Sequence, residues 1–188
     1  GREERGYRVC VDALNLRRLL GADFPIAYSL NTLALINNSM QRTPTAWREA
    51  AQAAAIFRGA GENRGLGLAL TQLGIGLRRL ANSQDPLVTL DALPEDLYVL
   101  AEEAIGEAVD IFRNDPEVLR LVEATLEFGC VLRDQMRLIN PEETDFQTQK
   151  RMNLLYRDAE NNLQQAADLA GRHGFRYLAL QAKVDLAW

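Results

Sequence analysis

The chain has 188 residues, of which 47% are hydrophobic and 25% are charged, and this ordinary globular composition permits one or two domains. Its formal charge of −5 argues against a nucleic-acid-binding surface, because phosphate groups are bound by clustered Lys and Arg side chains. No apolar run is long enough to span a membrane, and the first residues, GREERGYR, lack the apolar core of a signal peptide. We therefore expect a cytoplasmic protein that binds neither nucleic acid nor membrane.

Helical periodicity accounts for the first half of the chain. One helix is predicted from about Glu3 to Leu20 and a second from Pro25 to about Ser39. Thr43-Pro44 begins a third, since Pro is favoured at the first helical position. The stretch Ala50 to Asn82 indicates a helix, a tight turn and another helix, whose Leu residues recur at helical spacing. Neither of these helices can bury its apolar face alone, so the stretch requires neighbours of the same kind.

Two insertions interrupt this pattern, near 83–96 and 139–150. The first is too rich in Leu and Val for a solvated loop, so we expect a short helical turn or lid packed on the domain. In the second, Asn140 is a helix cap, with Pro141 and Glu143 in the first turn. We expect the flanking helices to extend by a turn or two, and both insertions to emerge on the same rim.

Small residues recur at a fixed spacing along the chain. Ala or Gly occupies both members of four pairs separated by 21 residues, namely Ala13 and Ala34, Ala53 and Gly74, Ala108 and Gly129, and Ala166 and Ala187. Helices that cross at about 8–10 Å need small side chains at the crossing, because a large one would hold the backbones apart. The spacing therefore predicts a single all-α domain over 1–188, with about three full helical hairpins and a half repeat at each end.

These residues resemble the tetratricopeptide repeat (TPR) family, whose first helix carries a Leu-Gly/Ala pair and whose second helix carries a small, bulky, small set. The pair is similar to Leu33-Ala34, Leu73-Gly74, Phe128-Gly129 and Leu186-Ala187. The set is similar to Gly6, Cys10 and Ala13, to Ala46, Ala50 and Ala53, to Ala101, Ile105 and Ala108, and to Ala159, Leu163 and Ala166. The resemblance implies a right-handed α-α superhelix, a TPR-like solenoid in which the first helix of each hairpin lines a concave groove.

The resemblance also implies which side chains face that groove. The non-packing positions of the first helices are Tyr28, Asn31, Thr32, Leu35, Asn38, Leu68, Thr71, Gln72, Ile75, Arg78, Arg79, Glu123 and Glu127, and the wider set continues to Leu126, Cys130, Gln181 and Val184. Apolar anchors mixed with amides and hydroxyls suit a peptide, a protein segment or a small polar inducer. The alternative for any one of these residues is packing against the preceding helix.

Residues suited to catalysis are sparse. His173, the only histidine, lies at a predicted helix end without Cys or Asp at ligand spacing, so helix capping is favoured over catalysis. Cys10 and Cys130 are too few for a disulfide framework and fall on predicted apolar faces, as reduced core thiols do. The paired acids Glu102-Glu103 fit a solvated helix face better than a catalytic dyad, and no phosphate-loop or metal-ligand pattern occurs. We expect no catalytic residues, no metal and no cofactor, and hence no enzyme activity.

The helix ending IFRGAGENRG, followed by LALTQLG, is similar to the longer TPR repeats in sensor domains of bacterial STAND-type signal-transduction ATPases. By that resemblance we expect a domain that senses a ligand or partner and relays occupancy to effector domains of the same polypeptide. The alternative is a constitutive protein-protein interaction scaffold, for example a TPR partner of a caspase-like protease. Because the chain starts and stops inside a repeat, we expect it to be a fragment of a larger protein.

Overall fold

The computed structural model describes residues 2–83, 93–139 and 145–187, and within these ranges every regular element is a helix. The α-helices are α1 (Arg2–Leu19), α2 (Asp23–Ser39), α3 (Thr43–Gly59), α4 (Asn63–Ala81), α5 (Pro94–Phe112), α6 (Val118–Gln135), α7 (Phe146–Arg172) and α8 (Arg176–Leu186), with a 3-10 turn at Met136–Leu138. Consecutive helices pack together, so α2 with α3, α4 with α5 and α6 with α7 form hairpins, and α1 and α8 are half repeats. This confirms the expected all-α solenoid, while its right-handed sense stays a prediction.

The helices form two layers. Besides its neighbours in sequence, each of α2, α4 and α6 contacts the next even-numbered helix, whereas the odd-numbered helices make no comparable contact with one another within the described ranges. We call α2, α4, α6 and α8 the inner helices and α1, α3, α5 and α7 the outer helices. The inner helices therefore share one surface that continues from repeat to repeat.

Glycine allows the closest helix crossings, as the spacing predicts. A Cβ atom on Gly74 of α4 would lie 2.5 Å from Ile105 Cδ1 and 3.1 Å from the Ala101 carbonyl oxygen, both on α5. A Cβ atom on Gly129 of α6 would lie 2.7 Å from Leu163 Cγ on α7. In both hairpins the small residue of the inner helix packs on the bulky residue between the two small residues of the outer helix. The backbones can approach this closely only because the side chain is absent.

The other small positions follow the same rule in the middle of the solenoid. Ala53, Ala108 and Ala166 are 0% exposed. At the two ends, Ala13 is half-buried and Ala187 is exposed. The difference follows from their place, because α1 and α8 each lack the other helix of their hairpin.

The insertions lie partly outside the described residues. The predicted lid falls mainly on 84–92 and the predicted Asn140 cap on 140–144, and neither range is described. Of the helices that flank the second insertion, α7 is extended, with 27 residues from Phe146, whereas α6 ends at Gln135, before the insertion begins. The described cap of α7 is Asp145, whose carboxylate accepts hydrogen bonds from the backbone N–H groups of Gln147 at 2.9 Å and Thr148 at 3.0 Å.

The two cysteines are free and differ in accessibility, which predicts different reactivity. Cys130 of α6 is 3% exposed and burial raises its pKa to about 12, whereas Cys10 of α1 is half-buried. Because the thiolate is the reactive form, a water-soluble aromatic disulfide reagent at pH 8 should modify Cys10 in the folded chain and Cys130 only after unfolding. Stopped-flow absorbance on the wild type and on a Cys10→Ser variant measures this, and rapid native reaction of that variant would contradict the burial of Cys130.

Candidate binding groove

A cavity of about 470 Å³ opens between the inner helices, and we call it the inner groove. It is lined by Tyr28, Asn31, Thr32, Leu35, Leu68, Thr71, Gln72, Ile75, Phe112, Arg120, Glu123, Leu126, Glu127, Leu178 and Gln181. Its volume falls within the range of about 300–1,000 Å³ that is usual for ligand sites. All four inner helices contribute side chains, so the groove crosses several repeats.

Most of the side chains that the resemblance implies do line the inner groove. They are Tyr28, Asn31, Thr32 and Leu35 from α2, Leu68, Thr71, Gln72 and Ile75 from α4, and Glu123 and Glu127 from α6. Asn38, Arg78 and Arg79 do not line it, although they lie on the same helices. That any of these residues contacts a ligand stays a prediction.

The groove stripe follows from helical periodicity. The lining residues of α2 and α4 repeat at intervals of three and four positions, as from Tyr28 to Leu35 and from Leu68 to Ile75. Residues at that spacing lie on one face of a helix. The opposite faces of these helices carry Leu30, Leu33 and Leu70, which are buried in the core.

The groove also contains residues that the sequence argument missed. Phe112 belongs to outer helix α5 and is 1% exposed, yet its ring reaches the groove wall. It does so beside Gly67 of α4, where a Cβ atom would lie 2.8 Å from Phe112 Cζ. The available signal in the sequence was Gly67, because a glycine on the helix face beside the Leu residues leaves space for a ring from another helix. Arg120 of α6 and Leu178 of α8 line the groove as well. They lie one helical turn before Glu123 and Gln181, the first predicted groove residues of these helices.

Apolar surface remains accessible in the groove. Leu35 is 53% exposed and Tyr28 is 41% exposed. The Tyr28 ring is held edge-on against Phe57 with ring centroids 4.9 Å apart, so its orientation is fixed from below. Burial raises the pKa of Tyr28, as does the nearby Glu62 carboxylate. A neutral phenol and a leucine together offer an apolar anchor site with one polar edge.

The uncharged polar groups leave hydrogen-bonding capacity for a ligand. The Thr32 hydroxyl donates to the Tyr28 carbonyl oxygen at 2.8 Å, and the Thr71 hydroxyl donates to the Gly67 carbonyl oxygen at 2.9 Å. Each hydroxyl oxygen therefore retains acceptor capacity. The Oδ1 atom of Asn31 is buried and has no hydrogen-bond partner among the described residues. A buried acceptor without a partner is costly, but because this atom is shielded from solvent, a ligand reaches it only if the Asn31 side chain turns towards the groove.

Each charge that lines the groove is already paired. The Arg120 guanidinium lies 2.8 Å from the Glu123 carboxylate, and its Nε atom lies 3.4 Å from Glu117 without the alignment of a hydrogen bond. Glu127 is paired with Arg78 at 2.8 Å. A ligand recognised mainly by a terminal carboxylate or by a cationic side chain would have to displace one of these pairs.

Asn38, Arg78 and Arg79 are engaged in contacts between successive inner helices. The small residues of the inner helices are Ala34, Gly74, Gly129 and Ala187. The side chain four positions after one of these residues donates to the side chain two positions before the next of them. The pairs are Asn38 with Gln72 at 3.0 Å, Arg78 with Glu127 at 2.8 Å, and Arg133 with Asp185. We call these pairs the inter-repeat ladder. It joins α2 to α4, α4 to α6 and α6 to α8 through equivalent positions, as the repeat requires.

A second set of bonds reinforces the ladder from the following residue. Arg79 donates to the Asn38 carbonyl oxygen, and the equivalent residue of α6, Asp134, accepts from Arg78 at 2.8 Å. The side chain of Asp134 is only 2% exposed and also accepts from Asn82 at 3.0 Å and from Arg133 at 3.0 Å. We call Arg78, Asn82, Glu127, Arg133, Asp134 and Asp185 the buried charge cluster. In it, Arg78 retains its charge because the carboxylates of Glu127 and Asp134 outweigh burial and raise its pKa.

The lone histidine and the possible metal ligands form no further site in the described ranges. His173 directly follows α7 as its C-cap residue, as predicted, and its ring stacks on Phe175 with centroids 6.2 Å apart. No three His, Cys, Asp or Glu side chains of the described residues converge as metal ligands. Within the same residues, no helix combines the length and the apolarity that a membrane span requires.

Comparisons with known proteins define the fold class. No protein-family model matches the chain, and no curated protein matches it. The fold is similar to the crystal structure of a de novo designed helical repeat protein, DHR81, with a TM-score of 0.53, 14% sequence identity, and coverage of 99% of this chain and 88% of that chain. At that identity the likeness shows the fold alone, which is that of a helical repeat protein.

Proposed function

We propose that the chain is a non-catalytic recognition module whose inner groove binds an uncharged peptide segment that carries apolar side chains. The observation that carries the proposal is the groove itself, which combines exposed Leu35 and Tyr28 with hydrogen-bond acceptor capacity at Thr32 and Thr71, while its charges are paired internally. Helical repeat proteins commonly present such an inner surface to a partner.

The ligand class follows from what each wall of the groove offers. A backbone amide of a peptide can donate to the Thr32 hydroxyl, and the Thr71 hydroxyl accepts a second donor. An apolar side chain of the peptide covers Leu35 and the ring of Tyr28. Charged anchors are disfavoured because Glu123 and Glu127 already hold their cations.

The proposal predicts that peptides selected against the wild-type chain bind through Leu35. A random peptide display library supplies the probes, and isothermal calorimetry measures their affinity. Replacing Leu35 with Asp should weaken binding by about 10- to 100-fold, because burying a leucine side chain contributes about 1.5–3 kcal/mol. Leu16→Asp is the matched control, since Leu16 is 62% exposed on outer helix α1 and does not line the groove.

Two results would count against the peptide proposal. Selected peptides that bind Leu35→Asp and Ile75→Asp as tightly as the wild type would place their site outside the groove. Failure to select any peptide, with a thermal shift produced by a sugar or nucleotide panel and abolished by Leu35→Asp, would assign the groove to a small inducer instead.

The finer proposal is that this recognition module is the ligand- or partner-sensing TPR domain of a bacterial STAND-type signal-transduction ATPase. The support is the stretch IFRGAGENRG followed by LALTQLG, together with the repeat order of the fold. In the full polypeptide, a nucleotide-binding module whose ATP turnover changes when the groove is occupied would support this role.

The second candidate is a constitutive protein-protein interaction scaffold, for example a TPR partner of a caspase-like protease. The buried charge cluster favours it, because a firmly bonded set of inner helices holds one shape. Unchanged effector activity in the full polypeptide on occupancy of the groove, with partner capture intact, would favour the scaffold over the sensor.

A further inference from the structure

The inter-repeat ladder and the inner groove share two residues. Gln72 and Glu127 accept the ladder bonds and also line the groove, whereas the donors Asn38 and Arg78 lie outside it. Each donor comes from the preceding inner helix. The side chain that a ligand would meet on one repeat is therefore held by the repeat before it.

We propose that Asn38 and Arg78 are positioning residues of the inner groove, which fix the orientation of Gln72 and Glu127 and tie the shape of the groove to the spacing of successive repeats. The part that concerns a ligand rests on the proposed function, and the part that concerns repeat spacing does not. A ligand that draws Gln72 or Glu127 towards itself changes the distance between inner helices, and a change in that distance alters the groove.

The geometry of the first ladder pair explains how orientation is fixed. The Asn38 side-chain N–H₂ group donates to the Gln72 carbonyl oxygen and to its side-chain Oε1, both at 3.0 Å. Asn38 is 3% exposed, so the bonds form away from water. With its oxygen held, the Gln72 side chain keeps its own N–H₂ group as the donor that remains for a ligand.

The second ladder pair fixes an acceptor in the same way. Arg78 reaches the Oε2 atom of Glu127 and the Oδ2 atom of Asp134, both at 2.8 Å. One carboxylate oxygen of Glu127 is thereby occupied, and Oε1 remains for a ligand. Successive repeats thus present a held donor and a held acceptor at equivalent positions, as a peptide backbone requires.

The strength of the ladder changes along the solenoid. The α2–α4 pair is a neutral amide bond, whereas the α4–α6 and α6–α8 pairs join Arg to a carboxylate. Charge-assisted hydrogen bonds are roughly twice as strong as neutral ones. The ladder pair between α2 and α4 is therefore the weakest of the three, at the end of the groove that carries Leu35 and Tyr28, and Arg79 adds a bond to the Asn38 carbonyl oxygen across the same step.

The ligand-free test measures repeat spacing by pulsed electron paramagnetic resonance. Spin labels are placed at the exposed positions Asp12 on α1 and Lys183 on α8, in a Cys10→Ser background that retains the buried Cys130. Asn38→Ala should broaden or shift the distance distribution by about 2 Å or more, the scale of helix shifts at interfaces. The matched control is Ser39→Ala, because among the described residues the Ser39 hydroxyl bonds within α2, to the Ile36 carbonyl oxygen.

The ligand test uses a peptide obtained by the selection against the groove. Asn38→Ala should weaken its binding by about three- to tenfold in the wild-type background and leave it unchanged in a Gln72→Ala background, as coupled residues do. A purely structural role would lower thermal stability in both backgrounds without this dependence on Gln72.

The two arms fail separately. An unchanged distance distribution in folded Asn38→Ala overturns the tie between ladder and repeat spacing, whether or not a peptide binds. Equal losses of affinity in the two backgrounds overturn the positioning role. If no peptide binds in the groove, the proposed function and the part of this inference that concerns a ligand are both wrong. The resonance experiment still tests the part that concerns repeat spacing.

Discussion

Replacing Asp134 with leucine is expected to lower the free energy of unfolding by about 3–5 kcal/mol, since removing one partner of a buried ion pair leaves its counterpart without compensation. The Asp134 side chain is 2% exposed and accepts from Arg78, Asn82 and Arg133. The substitution removes an acceptor that three donors share and leaves Arg78 and Arg133 with one carboxylate each, Glu127 and Asp185. Urea denaturation followed by far-ultraviolet circular dichroism measures the loss.

The conservative variant Asp134→Asn separates charge from shape through its pH dependence. Burial alone would raise the pKa of Asp134, but the hydrogen bond from Arg78 and the charges of Arg78 and Arg133 outweigh burial and hold it below the usual value. The folded state then binds fewer protons than the unfolded state, so this contribution is complete above the unfolded-state pKa of about 3.9 and is lost as pH falls through the lower, folded-state pKa. The stability gap between wild type and Asp134→Asn should therefore be constant near neutral pH and shrink below about pH 4.

The matched control for this charge removal is Asp110→Asn. Asp110 pairs with Arg113 at 2.5 Å, but both side chains are solvated, at 70% and 61% exposed. Exposed ion pairs contribute about 0–1 kcal/mol, so the control should lose far less stability. Equal losses at the two positions, or a gap for Asp134→Asn that does not narrow as pH falls below about 4, would contradict the role assigned to burial.

The fold was predictable from sequence because helix crossings require small residues, and these residues therefore recur at a regular spacing along the chain. Ala53 to Gly74 and Ala108 to Gly129 have the same spacing. In the structure the two glycines lie at close crossings and the two alanines are fully buried. The groove stripe was predictable for a related reason. Once α4 is known to be an inner helix, the three- and four-residue spacing from Leu68 to Ile75 places those side chains on one face.

The ladder was not predictable in the same way, although its positions are periodic too. Helical spacing puts Asn38 and Arg78 on the same side of their helices as the groove residues, so sequence reasoning assigns them to the ligand. Only packing shows that the neighbouring inner helix approaches closely enough for Gln72 and Glu127 to satisfy them. The ring of Phe112 was missed because it enters from an outer helix through the space left at Gly67.

The inter-repeat ladder and the glycine crossings stabilise different contacts in the solenoid. The crossings at Gly74 and Gly129 fix each inner helix on its own hairpin partner, through apolar contact with Ile105 and Leu163. The ladder fixes each inner helix on the next one, through polar contacts that face the groove side. The contacts that stabilise a repeat are thus mainly apolar, whereas those between successive inner helices are largely polar. A ligand in the groove can therefore alter the contacts between inner helices.

Replacing Gly74 with leucine is expected to lower the free energy of unfolding by about 3 kcal/mol, at the upper end of the usual cost of overpacking. Even a methyl group there would lie 2.5 Å from Ile105 Cδ1 and 3.1 Å from the Ala101 carbonyl oxygen, and the latter is backbone that cannot rotate away. Gly74→Ala should therefore also destabilise the chain, despite the roughly 0.5–1 kcal/mol that alanine gains over glycine inside a helix. Denaturant midpoints and m-values of both variants measure the effect.

Replacing glycine with alanine on the next helix, at Gly106, should instead raise the free energy of unfolding. A Cβ atom on Gly106 of α5 would lie 3.8 Å from the Phe128 ring, an ordinary contact, so Gly106→Ala should stabilise by about 0.5–1 kcal/mol. Ile105→Ala supplies the rescue, because it removes the atoms that crowd position 74, and its usual cost of about 2–5 kcal/mol should be smaller when combined with Gly74→Ala. If Gly74→Ala stabilised the chain as much as Gly106→Ala, the close crossing of α4 and α5 would not exist in solution.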